Sequence, residues 1–183
     1  MEVHDYNGAG KWSSEEILHR YSQYCRELNV QTTIDLSPVT FVEGDVKWIY
    51  PVMNKVIVGI EQGDPACRRI GIEFVEENGK FPFGKILKSN TARALRRAEL
   101  TIAEQARIRQ RLVTMLIEGN VPHEYKQYAK LLKKIGLDGC WDGIESRIDR
   151  SNKYVMKYYN YLKEANIPLH KDSNCFLGGE YRS

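Results

Sequence analysis

The glycine-rich stretch GAGKW at residues 8–12 is the first segment whose residue types suggest chemistry. A phosphate-binding loop needs another glycine five residues before its last glycine, and a hydroxyl residue directly after the lysine. Asp5 and Trp12 occupy those two places, and no apolar strand precedes the glycines. The stretch therefore does not predict a nucleotide site, and we expect residues 1–12 to form a flexible N-terminus.

Side chains that could bind a metal ion or act as nucleophiles are scattered along the chain. Its four histidines and four cysteines form no H-E-x-x-H or C-x-x-C pair, so the sequence predicts no metal site, no cofactor and reduced structural thiols. No G-x-S-x-G motif or known cysteine-nucleophile signature is present. The sequence thus favours a protein without catalytic activity, although a site assembled from distant residues stays open.

Four carboxylates lie close together in the sequence around Trp141. They are Asp138, Asp142, Glu145 and Asp149. Paired carboxylates can act as acid and base, but acids at the start of a helix also stabilise its positive end. Because Arg147 and Arg150 are interleaved with them, we interpret the acids as helix-stabilising.

Ten basic residues on three predicted helices form the most informative set. They are Lys85, Lys88, Arg93, Arg96, Arg107, Arg111, Lys126, Lys130, Lys133 and Lys134. The block at 80–134 that contains them has a net charge of +9, whereas residues 1–79 have −6 and residues 135–183 have 0. Such asymmetry indicates an anionic partner or charge complementarity within the molecule.

Six or seven helices are predicted from apolar spacing and from helix start and stop signals. They cover residues 14–28, 45–62, 65–78, 82–98, 102–118, 122–135 and 142–165. Residues 30–43 are rich in Val, Thr and Ile, and could form a short β-hairpin or an extended loop.

The predicted fold class is all-α, in one domain over residues 1–183 with a loosely ordered tail at 168–183. Breaks that combine a glutamate, a small or amide residue and a proline recur along the chain. Their spacing resembles that of HEAT or armadillo arrays. We therefore expect either an irregular bundle or a HEAT-like helical-repeat stack.

The basic helices are predicted to be amphipathic. In helix 82–98, the projection places Phe83, Ile86 and Leu87 on the buried face and Lys88 on the opposite, solvent-exposed face. Helices 102–118 and 122–135 are joined by only GNV, so their basic stripes can share one surface. That surface would be a ridge of six cations. They are Arg107, Arg111, Lys126, Lys130, Lys133 and Lys134.

Three functions fit these patterns. The leading hypothesis is a non-enzymatic interaction protein (an adaptor, regulator or inhibitor) that presents a basic surface to an acidic protein partner. The alternative is a nucleic-acid-binding protein that contacts the phosphate backbone through helices 82–98, 102–118 and 122–135. A helical-repeat nucleic-acid-processing enzyme is the second alternative.

The remaining expectations concern association and location. The charge asymmetry and the tyrosines of the last helix make a homodimer possible. The longest aliphatic run, VIVGI at 56–60, is far shorter than the roughly 20 residues that span a bilayer, and no secretion signal is legible. We therefore expect a cytoplasmic protein with no membrane partner.

Overall fold

Eight α-helices dominate the structure, a computed structural model that describes residues 1–31, 34–77 and 81–166. The helices are α1 (Ser14–Glu27), α2 (Met53–Glu61), α3 (Pro65–Glu76), α4 (Gly84–Arg97), α5 (Ile102–Ile117), α6 (Tyr125–Ile135), α7 (Trp141–Arg147) and α8 (Lys153–Asn166). A small sheet adds β1 (Glu2–Asp5), β2 (Thr40–Glu43) and β3 (Val46–Ile49). The helix-rich class is confirmed, but eight helices are described where six or seven were predicted, and the sheet has three strands where the prediction allowed only a short hairpin. The predicted tail at 168–183 lies outside the described residues.

The helices enclose a core of buried aliphatic and aromatic side chains. Helix α3 packs against α1, α2, α4 and α5, while α6 packs against α4, α5 and α8. Ile70 on α3, Leu95 on α4, Leu112 on α5 and Leu131 on α6 are completely buried. Each helix therefore contributes one apolar stripe to the interior, as amphipathic spacing predicts.

The starts of α3 and α5 follow the signals in the sequence. Asp64 Oδ1 accepts a hydrogen bond from the Cys67 amide at 2.7 Å, and Pro65 occupies the first turn of α3. Thr101 and Glu104 form a reciprocal capping box at the start of α5. Each such cap stabilises its helix by about 1 kcal/mol. Because the residues of each cap lie within three positions of one another, these two helix starts could be predicted from the sequence.

Residues of the N-terminal segment contact distant parts of the chain, and the flexibility expected for residues 1–12 stays a prediction. Strand β1 pairs in parallel with β3, the Asn7 side chain accepts a hydrogen bond from the Val52 amide at 2.9 Å, and the Trp12 indole donates one to Glu77 at 2.8 Å. All three partners come from distant parts of the chain. A local pattern in the sequence could not reveal them.

The hairpin forms later in the chain than expected, and it displaces the start of a predicted helix. Strands β2 and β3 pair in antiparallel fashion across a tight turn in which Gly44 has a φ of 57°. The predicted helix at 45–62 therefore begins only at Met53. Pro51 explains the boundary, because a proline disfavours helical geometry in the residue before it.

The predicted helix at 142–165 is interrupted between α7 and α8. Asn152 Oδ1 accepts hydrogen bonds from the amides of Tyr154 at 3.0 Å and Val155 at 3.3 Å. Asp149 Oδ1 likewise accepts one from the Ser151 amide at 2.9 Å. Short polar side chains that bond to nearby backbone amides compete with helical hydrogen bonds, and so a new helix starts after Asn152.

The buried face of α4 also differs from the prediction. Lys88 is only 5% exposed, whereas Phe83 and Ile86 are 54% and 61% exposed. Leu87, Thr91 and Leu95 form the buried stripe. Because Lys88 lies three residues before Thr91 and seven before Leu95, it belongs to that stripe.

Lys88 forms a buried ion pair with Glu124, the residue just before α6. The Nζ–Oε1 distance is 3.7 Å, and the side chains are 7% and 5% exposed. Burial lowers the pKa of Lys88, and Glu124 only partly opposes that effect. The pair therefore fixes α4 against the start of α6. It is not expected to make the protein more stable than a well-packed apolar pair would.

We expect Glu124→Met to destabilise the protein by about 3 kcal/mol, because it leaves the Lys88 ammonium buried without its carboxylate. The double variant K88M/E124M should recover most of this loss. Urea unfolding of the wild-type protein and both variants measures the free energies. A double variant at least as unstable as E124M would contradict this account of the pair.

Candidate interaction groove

An apolar groove lies between α6 and α8. It has a volume of about 130 Å³. Ala129, Tyr158 and Tyr161 supply its apolar surface, and the remaining lining residues are lysines. Those lysines are Lys126, Lys130 and Lys157. We call this site the α6–α8 groove.

Helix α6 positions the groove because its opposite side is firmly anchored. Tyr125 is completely buried, and its hydroxyl donates a hydrogen bond to the Leu112 carbonyl of α5 at 2.7 Å. The ring centroids of Tyr125 and Tyr158 are 4.9 Å apart. Leu131 and Leu132 extend the buried stripe. The lysines between these positions must therefore face outward.

The lysines of the groove belong to a larger set of uncompensated charges. Helices α6 and α8 carry seven lysines, and their only carboxylate is Glu164. Within the described part of the chain, none of the seven has a carboxylate oxygen within 4.0 Å; the lysines that do are Lys11, Lys55 and Lys88. Because no carboxylate among the described residues contacts these lysines directly, this surface attracts anions.

The two tyrosines of the groove contact these lysines. Lys133 Nζ lies 5.2 Å from the ring centroid of Tyr161, and Lys157 Nζ lies 5.8 Å from that of Tyr158. Burial raises the pKa of Tyr158, so its hydroxyl stays protonated at neutral pH. Neither tyrosine hydroxyl has a hydrogen-bond partner among the described residues, and both can donate to a ligand's carboxylate.

Arg107 and Arg111 do not join the groove. They line a separate cleft with Glu76, Gln110 and Thr114. Arg107 makes two hydrogen bonds to Glu76, at 2.9 and 2.6 Å, which neutralise its charge. The predicted ridge of six cations is thus not continuous. Arg107 and Arg111 line this cleft, Lys126 and Lys130 line the groove, and the acid that pairs with Arg107 comes from α3.

The remaining predicted cations lie on α4, away from the groove lining. Lys85 and Arg93 are exposed, and Arg96 is partly buried. Arg93 donates a hydrogen bond to Asn90 at 3.1 Å. With Lys88 buried, only part of the predicted basic surface converges, and Lys134 is exposed on α6 beside the converging residues.

Four groove residues were not among the predicted site residues: Ala129 on α6, and Lys157, Tyr158 and Tyr161 on α8. The last three occupy one turn of α8, and the spacing of the two tyrosines places both on one face. The spacing of the two tyrosines could therefore have been used to predict this face of α8. What it could not show was that this face of α8 packs against α6.

The acidic group around Trp141 does not form a site. Asp138 accepts a hydrogen bond from Arg109 at 3.0 Å, and Glu145 accepts one from the Tyr159 hydroxyl at 2.9 Å. These carboxylates therefore stabilise separate contacts. Over the described ranges, no group of three or more His, Cys, Asp or Glu side chains is arranged to hold a metal ion.

Comparison with protein-family models, curated proteins and solved structures finds no match for this chain. Of the helices described, none combines the length and apolar character needed to cross a membrane. The function is therefore inferred from the described surface itself.

Chemical labelling of amines tests the arrangement of these lysines. We expect Lys126, Lys133 and Lys134, which are exposed, to react at least about tenfold faster than Lys88, whose labelling requires local opening of the helices. Mass spectrometry after limited acetylation measures each rate. Equal rates for Lys88 and Lys126 would contradict the burial of Lys88.

Proposed function

We propose that the protein is a non-enzymatic interaction module whose α6–α8 groove binds an acidic segment of a partner protein. The observation that carries this proposal is an apolar depression surrounded by lysines that have no carboxylate partner among the described residues. Adaptors, regulators and inhibitors all use such surfaces. The chemistry of the groove says more about the ligand than about which of these three kinds of protein this is.

The size of the groove supports one apolar anchor in the ligand. An engineered protein cavity of about 150 Å³ takes a benzene molecule, and the groove offers about 130 Å³. One leucine or phenylalanine side chain is therefore a suitable occupant. Burying that side chain would provide affinity, while carboxylates on both sides of it would meet Lys126, Lys130 and Lys157 and provide specificity and a fast encounter.

The distribution of cations favours a peptide over nucleic acid. A protein that binds the backbone of a nucleic acid gains affinity with each phosphate that one of its cations neutralises. The nucleic-acid hypothesis places such cations on all three basic helices. Arg107 is paired with Glu76, and Lys88 is buried against Glu124. Phosphate binding along all three helices would lack these two cations, whereas an acidic peptide needs only the groove. A helical-repeat arrangement and a nucleic-acid-processing activity stay predictions.

A matched pair of double variants tests the proposal. The probe is a short fluorescent peptide with one phenylalanine flanked by glutamates, and the readout is fluorescence anisotropy. We expect K126E/K157E to weaken binding by about tenfold or more, because two attractive rim charges become repulsive. The control K85E/R93E makes the same change in net charge on α4 and should bind almost as tightly as the wild-type protein.

Two results would overturn the proposal. Equal losses in both double variants would show that the peptide responds only to net charge. Tighter binding of a single-stranded oligonucleotide than of the peptide, abolished by K126E/K157E and strongly weakened by salt, would identify nucleic acid as the ligand of the groove.

A further inference from the structure

Among the described residues, the small sheet has two unpaired edges and no helix packed on either face. The strand order is β1-β3-β2, and among the described elements the strands contact only one another. Val3, Phe41 and Val42 are 51%, 52% and 55% exposed. Three strands without a packed face are marginally stable in water, so this sheet would gain stability from a further strand.

Strand β2 offers free hydrogen-bonding groups at two positions. The Tyr50 amide donates to the Val39 carbonyl at 2.9 Å, which identifies Val39 and Tyr50 as a hydrogen-bonded pair. Such pairs alternate along an antiparallel ladder. Phe41 therefore bonds inward to β3, whereas Thr40 and Val42 direct their N–H and C=O groups to the open edge.

The β2 edge is less protected than the β1 edge. Charged side chains on an edge strand oppose pairing with another chain. Strand β1 has titratable side chains at three of its four positions, Glu2, His4 and Asp5. Strand β2 has only Glu43. Pairing with another strand is therefore expected at β2.

An aromatic row crosses the sheet and ends at the β2 edge. His4 and Phe41 are both register partners of Trp48. The ring centroids of His4 and Trp48 are 6.2 Å apart, and those of Trp48 and Phe41 are 5.6 Å apart. Phe41 is the exposed end of this row. A strand added at β2 would place its own side chain directly beside Phe41.

We propose that β2 pairs in antiparallel fashion with β2 of a second copy of this chain, around a twofold axis beside Phe41. In this register each Thr40 lies opposite Val42 of the other copy, so the free backbone groups of both strands bond to each other. The two Phe41 rings meet at the axis and join both aromatic rows. This pairing is independent of the α6–α8 groove.

Self-pairing is favoured because the register contains no charge conflict. Glu43 lies opposite Val39 of the second copy, so the only charged residue of β2 does not face its equivalent. Pro38 has no N–H to extend the ladder, which limits the pairing to the length of β2. Since so short an edge buries much less than the roughly 1,200 Å² typical of stable complexes, the dimer is expected to be weak and concentration-dependent.

Charge substitutions at the axis test the pairing. Sedimentation velocity over a concentration series should show a monomer–dimer equilibrium for the wild-type protein. F41K or F41E alone should raise the dissociation constant by at least about tenfold, because each removes the aromatic pair and places like charges opposite each other. An equimolar mixture of F41K and F41E should form mixed dimers again. This recovery is expected only if Phe41 of one copy contacts Phe41 of the other.

Val3→Lys is the matched control, since Val3 is equally exposed but lies on the other edge strand. It should leave the dimer unchanged, and circular dichroism should show intact helices in every variant. A wild-type protein that is monomeric at millimolar concentration would overturn the proposal. So would a dimer that F41K leaves intact, one that V3K also weakens, or a mixture that does not recover pairing.

Discussion

Two consecutive residues, Glu124 and Tyr125, fix helix α6 to its three neighbours. Glu124 pairs with Lys88 on α4, the Tyr125 hydroxyl bonds to α5, and the Tyr125 ring packs against Tyr158 on α8. The first two contacts are polar and buried, so a rotation of α6 would break them in the interior, which costs about 1–3 kcal/mol for each buried group that loses a partner. The orientation of α6 is thus set at its first turn, and the rest of the helix follows.

That orientation explains why a charged surface persists on such a well-packed helix. With Tyr125, Tyr128 and Leu131 directed inward, the lysines at intermediate positions must lie outside. Lysine is well suited to those places, because its aliphatic stem can cover the edge of an apolar depression while the ammonium stays in water. The α6–α8 groove therefore follows from packing at one end of α6 and from the absence of acids along that helix, and it needs no strained backbone.

The sequence predicted what depends on neighbouring residues and failed where distant residues decide. The caps at Asp64 and Thr101 and the amphipathic face of α6 could be predicted, because residues three or four apart determine them. Strand β1 and the pairing of Arg107 with Glu76 could not, since their partners lie far along the chain. Lys88 shows a further limit, because a lysine is predicted to be exposed unless its carboxylate partner is known, and here that partner is Glu124, 36 residues further along the chain.

The parallel pairing of β1 with β3 also has a kinetic consequence. It joins the first residues of the chain to a strand beyond α1, so a large loop must close before its hydrogen bonds can form, whereas each helix forms its own hydrogen bonds between residues four apart. Among the described elements the strands also contact only one another, and regions with few buried contacts open locally at a lower free-energy cost than the core. The sheet would therefore exchange its amide protons well before the helical core, and the helices would still be folded when its edge strands separate.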